Sequence, residues 1–305
     1  MNARFLVGTM FAAVVATVVQ AHPGLHHDIT AATQAIEKEP GRADLYVDRA
    51  FLERLDEELD LALADLDQAR KLDAANVRVA AERGMTLSAL RRDREADLEL
   101  TRFITGGGTA PTFAERAAVR ERLGRHKESI ADFGSAIALR PDVEYYVARG
   151  SLQESIGDLA GAAAGYRDGR AKLGNAVTLD LALIRVETAR KRYAAAIALI
   201  DEQMGRAPVK TEWYLRRADV LAAAGRAKDA RADRESALRE ADAAVARSGS
   251  GLTLYSRAKV QAALGRVEGA KHDLEQVLEK SPRFAEAREM LANLATADND
   301  KGMKP

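Results

Sequence analysis

Residues 146–166 read YVARGSLQESIGDLAGAAAGY, and this stretch decides the fold. Small residues stand at Gly150 and Ala162, with Gly157 between them. Glycine tolerates positive φ, so Gly157 suits a tight turn joining two helices. Gly150 and Ala162 then fall where two antiparallel helices cross, because only a small side chain lets the backbones approach closely. One hairpin of this kind buries little surface and needs neighbours to stack against.

Working outward, the same block recurs along the chain. Its first small position falls at 50, 84, 117, 150, 218 and 258, with Ile184 in that place in the degenerate fifth copy, and its second at Ala62, Ala96, Ser129, Ala162, Ala196, Ala230 and Ala270. The turn glycine is present in four copies, Gly124, Gly157, Gly225 and Gly265. Pro40, Pro141, Pro208 and Pro282 recur at the ends of second helices, where a ring that cannot continue a helix marks the boundary. A spacing of 33 to 34 residues, lengthening to 40 before the last copy, gives about seven units near 43–76, 77–109, 110–142, 143–176, 177–210, 211–250 and 251–282.

Composition supports an all-α chain. Of 305 residues 47% are apolar, alanine is abundant, aromatics make up 5% and only 7 are proline. The 46 basic and 46 acidic side chains cancel, which removes any long-range pull toward nucleic acid or an anionic membrane. There is no cysteine, so disulfides, thiolate metal sites and a cysteine nucleophile are excluded.

The small–small–glycine–proline spacing over residues 43–282 resembles the tetratricopeptide repeat. That resemblance implies a right-handed α-solenoid with a concave groove lined by the first helices, and a protein or peptide partner held in it. Groove-facing positions would be Val47, Phe51, Met85, Ser151, Arg185, Asp219 and Lys259, apolar early and polar later. Two readings of Phe51 and Met85 stay open, partner contact and inter-repeat core. A known subclass of the family clamps carboxylates with paired lysine and asparagine, but no first helix here carries an asparagine, so that mode is not expected.

A charge pattern can be read from the repeats themselves. Six copies carry an arginine before the first small residue, and in five an acid follows sixteen residues later. The pairs are Arg49/Asp65, Arg83/Glu99, Arg116/Asp132, Arg217/Asp233 and Arg257/Asp273. Arg149 faces Gly165 instead, and the degenerate fifth copy has Leu183 and Leu199. Partners that appear together predict contacts within one hairpin. An anion-binding arginine ladder is the competing reading.

At the front, residues 1–21 join Arg4 to an apolar run ending Val19-Gln20-Ala21, the pattern of a signal peptide cleaved after Ala21. The expected location is periplasmic or secreted. Residues 22–42 hold a histidine-rich mature terminus and a half-repeat helix over 28–39. Residues 283–297 read as a capping helix and 298–305 as a disordered tail. Thr105–Thr109, with three glycines, reads as a flexible turn, since no Lys-Ser/Thr follows as a phosphate loop requires.

No catalytic constellation is legible, and the chain is not expected to be an enzyme. His126 and His272 lack a nucleophile partner, and the carboxylates distribute as helix-surface charge. Three of the five histidines, His22, His26 and His27, cluster at the mature terminus. A free amine with imidazoles could chelate copper or zinc. The alternative function is therefore a metal-binding accessory protein; the principal one is an exported interaction scaffold.

Overall fold

The computed structural model describes residues 23–174 and 176–302. The signal-peptide reading and His22 lie outside them. The described residues form sixteen α-helices and no strand. A single helix, α1 (Pro23–Lys38), comes first. Seven hairpins follow: α2 (Ala43–Leu55) with α3 (Leu59–Leu72), α4 (Val77–Ala89) with α5 (Asp93–Thr105), and α6 (Ala110–Arg122) with α7 (His126–Leu139). Then come α8 (Val143–Ser155) with α9 (Leu159–Leu173), α10 (Val177–Ala189) with α11 (Tyr193–Arg206), α12 (Thr211–Ala223) with α13 (Ala227–Ser248), and α14 (Gly251–Ala263) with α15 (Val267–Lys280). The last helix is α16 (Ala285–Gly302). The chain divides into two compact units, one ending at Arg140 and the other beginning at Pro141. No helix among the described residues is long and apolar enough to cross a membrane.

Each hairpin turn is built the same way. The first helix ends in a left-handed residue, at Glu57, Arg91, Gly124, Gly157, Lys191, Gly225 and Gly265. The next residue donates its N–H back to the third-last helical carbonyl, as Arg125 does to Arg120 at 2.7 Å and Arg192 to Glu187 at 2.8 Å. This satisfies the orphan carbonyls that every helix end leaves. Four copies supply the glycine this conformation favours, while Glu57, Arg91 and Lys191 adopt it against the steric preference of an L side chain.

The helices cross at the small residues. Ala62, Ala96, Ser129, Ala162, Ala196, Ala230 and Ala270 are all fully buried. A Cβ on Gly84 would come within 2.6 Å of Leu100, and one on Gly150 within 2.3 Å of the Tyr166 ring. Size is therefore matched across the hairpin: where the second helix presents a buried tyrosine, the first presents no side chain at all. Second helices stop two residues before a proline, α7 at Leu139 before Pro141 and α15 at Lys280 before Pro282.

Three readings of the sequence change. First, α1 starts at Pro23 rather than 28, because proline is well placed at a first helical position, so His26 and His27 are helical. Second, α16 runs on to Gly302 through the segment expected to be disordered, with neither proline nor glycine to stop it earlier. Third, the three-glycine turn is an ordered helix start: Gly107 and Gly108 take positive φ, and Thr109 and Thr112 form a reciprocal capping box. The long spacing before the last copy lies, as its sequence suggests, in a longer second helix: α13 has 22 residues, and Gly249 ends it in the left-handed conformation.

Candidate functional site

The arginine register organises the interior of both units. Arg49 grips Asp65 through Nε and Nη2 at 2.6 and 2.7 Å. Arg116 holds Asp132 at 2.8 and 2.6 Å, Arg217 holds Asp233 at 2.7 and 2.8 Å, and Arg257 holds Asp273 at 2.8 and 2.6 Å. Each is a bidentate fork, the strongest arginine–carboxylate geometry. The carboxylates are buried, so the arginine must neutralise them.

The remaining nitrogen of each fork reaches backward to the preceding second helix. Arg49 Nη1 donates to Thr33 at 3.1 Å and Arg116 Nη1 to Thr101 at 3.1 Å. Arg217 Nη1 donates to Asp201, and Arg257 Nη1 to Asp242 at 3.3 Å. One guanidinium thus ties three helices together. This second contact was missed in the sequence, although its signal is present: a hydroxyl or acid stands fifteen or sixteen residues before each of these arginines.

Arg83 departs from the pattern. Its Nε is 3.5 Å from Glu99, too long for a fork, and its Nη1 goes back to Asp67. Glu99 accepts instead from Arg70 at 2.7 Å. Glutamate is one methylene longer than aspartate, which carries its carboxylate past the fork position. In the fifth copy the charges are exchanged between helices. Leu183 is buried, and Arg167 of α9 reaches Glu187 of α10, a carboxylate 2% exposed.

The groove candidates divide. Val47 is fully buried in the first core cluster, among Ala43, Ala50, Leu66 and Ala69, so it is core and not a partner contact. Met85 is half-buried against Leu87, Leu100 and Val119. Phe51 is 40% exposed, with the Arg54 guanidinium 5.4 Å from its ring centroid. Ser151 is half-buried. The later polar positions bind within the protein. Arg185 donates to Glu154 at 2.8 and 3.0 Å, linking α10 to α8. Lys259 pairs with Glu212, linking α14 to α12, and Asp219 accepts from Arg234 at 3.4 Å. Glu154 also accepts from the Tyr166 hydroxyl at 2.7 Å, and burial pushes that phenol up to about 12.

His26 Nδ1 lies 3.7 Å from Asp56, while His27, the next residue on the helix, lies 3.7 Å from Asp28. Adjacent helical residues project about 100° apart, so the two imidazoles do not converge. Among the described residues no group of three metal-ligating side chains comes together.

One apolar notch was not anticipated. Leu252, at the start of α14, is 73% exposed. With Gly251, Pro282 and Phe284 it borders a cavity of about 670 Å³ that has Ser250, Ser281 and Arg283 at its edge.

Helical hairpins joined by identical turns and stacked through a common arginine register define an α-solenoid of helix–turn–helix repeats. The comparisons place that fold: it is the tetratricopeptide-repeat fold. The C-terminal part of a TPR repeat-containing protein from Cytophaga hutchinsonii superposes with a TM-score of 0.58 at 13% identity, over 80% of this chain and 98% of that one. A tetratricopeptide repeat protein from Parabacteroides merdae gives 0.48 at 18% identity, over 83% and 98%. YrrB, a TPR protein with an unusual peptide-binding site, gives 0.43 at 18%, over 69% and 92%. No family model and no curated protein matches the sequence.

Proposed function

We propose that this chain is an exported interaction scaffold that holds a protein or peptide partner. The notch at Leu252 carries the reading. A leucine 73% exposed beside Pro282 and Phe284 leaves apolar surface that water solvates poorly, in a space large enough for one or two side chains. Arg283 at its edge favours an acidic residue next to the inserted apolar one. The first-helix face of the second unit serves less well, because Arg185 and Lys259 are already committed to Glu154 and Glu212. Selection of displayed peptides on the full chain tests the proposal. Enriched peptides should pair an apolar residue with an acid and should lose binding to Leu252→Asp. Peptides that bind that variant equally well would reject the notch. Export is tested by amino-terminal sequencing of the protein recovered from the cell envelope or medium, with His22 expected as the first residue.

A second reading concerns the amino-terminal histidines. His26 beside Asp56 offers an imidazole–carboxylate pair to which a free amine at His22 could add. Calorimetric titration of the mature protein with Cu(II) and Zn(II) tests it. Heat that His22→Ala and His26→Ala leave unchanged would remove it.

A further inference from the structure

Arg149 is the one arginine of the register without an anion among the described residues. Arg49, Arg116, Arg217 and Arg257 all present the Nε–Nη2 edge to a carboxylate, at 2.6 to 2.8 Å. Arg149 presents the same edge to Gly165. Its Nη2 and Nε lie 3.1 and 3.7 Å from the point where a Cβ on that glycine would sit. Its other neighbour is the Tyr146 ring, whose centroid is 5.5 Å away. Asp168 stands close enough to feel the charge, but it is bound to the Tyr146 hydroxyl at 2.8 Å and to Lys172 at 3.1 Å. Arg149 is half-buried, so water solvates its side chain only in part. A partly desolvated cation with a free bidentate edge attracts a planar anion.

We infer that the Nε–Nη2 edge of Arg149, over Gly165, is a binding site for a carboxylate from outside the chain. The ligand takes the place that an aspartate fills in four other copies. Gly165 is what makes this possible, since any acid there would close the site from within. The guanidinium rests on the glycine and must swing outward to admit the guest, a movement its rotatable side chain allows. An acidic side chain and a chain terminus both present the planar pair of oxygens that this edge takes. The site does not depend on the notch at Leu252, and a failed peptide selection there leaves it standing.

The test follows the Arg149 Nε–Hε resonance of the full chain while acetate replaces chloride at constant ionic strength. A saturable shift is expected at Arg149, and only a linear drift at the exposed Arg94. Gly165→Asp should abolish the saturable response and raise the melting temperature, because it supplies the missing carboxylate internally. If that variant misfolds, Arg149→Met gives the second measurement: acetate should raise the melting temperature of the wild-type chain over chloride and should not do so for this variant. Acetyl-aspartate amide and acetyl-alanine then distinguish side-chain from terminal carboxylates. A response at Arg149 no different from that at Arg94, or an acetate stabilisation that survives Arg149→Met, would overturn the site.

Discussion

Glu53 sits on α2 with its Oε1 3.7 Å from Arg49 Nε, while its Oε2 has no hydrogen-bond partner. Arg49 is already committed to Asp65, and Asp65 and Glu58 add like charge nearby. Burial, then the Asp65 charge, lifts the Glu53 carboxyl to about 7. Its folded pKa therefore lies above its unfolded one, so the fold binds the proton more tightly. Stability is unaffected below the unfolded value near 4.5, falls as pH rises and is lowest above about 7, by up to about 3 kcal/mol. Glu53→Gln should raise the melting temperature at pH 8 and leave it unchanged at pH 4; equal gains at both would show the carboxyl is not the cause. The forks differ in what remains when one arm is cut. Asp132 keeps Arg120 at 2.8 Å, whereas Asp273, 1% exposed, keeps only the neutral Gln261 at 3.0 Å. Arg257→Ala should cost about 3 kcal/mol and Arg116→Ala less, by denaturant titration. The reverse order would mean that Arg120 does not share the Asp132 charge.

Among the elements, the seven hairpin turns share one geometry but not one residue. At Lys191 a β-carbon is held at φ 61°, where Gly225 is held at 76°. Lys191→Gly should stabilise the α10–α11 hairpin by about 0.5–1 kcal/mol, since the strain removed exceeds the entropy gained by the unfolded chain. Gly225→Ala should do the opposite at α12–α13. A loss of stability with Lys191→Gly would show that the lysine makes a contact outweighing its strain. Four of these turns were legible because glycine announces them. The other three were legible only through the repeat period, since nothing about Glu57, Arg91 or Lys191 taken singly asks for a left-handed conformation.

For the molecule as a whole, an array buries its core hairpin by hairpin and leaves its last hairpin open unless something covers it. Helix α16 does this in the second unit. Ala287, Met290, Leu291 and Leu294, with Phe284 before the helix, pack against Leu254, Ala258, Leu274 and Val277, and the Tyr255 and Phe284 rings stand 4.9 Å apart. A chain ending at Pro282 should melt at lower temperature and bind a hydrophobic dye that the full chain does not. An unchanged melt would remove the capping role. In the first unit α1 packs on α2, with Ile36 buried.

The period and the hairpins followed from the sequence alone, because steric rules act locally. Glycine and proline set turns and ends, and a small residue is needed wherever two backbones cross. The Arg–acid pairing was legible for a related reason: partners sixteen residues apart on one hairpin vary together. Tertiary structure decided what local rules cannot reach. It turned Val47 from a groove position into core, and it left Arg83 without a fork, its Nε 3.5 Å from the carboxylate, where glutamate replaced aspartate. It committed Arg185 and Lys259 to neighbouring helices, and it brought Leu252 beside Phe284 across two turns. Those outcomes depend on which helix lies next to which, and on the length of one side chain against the distance it must span.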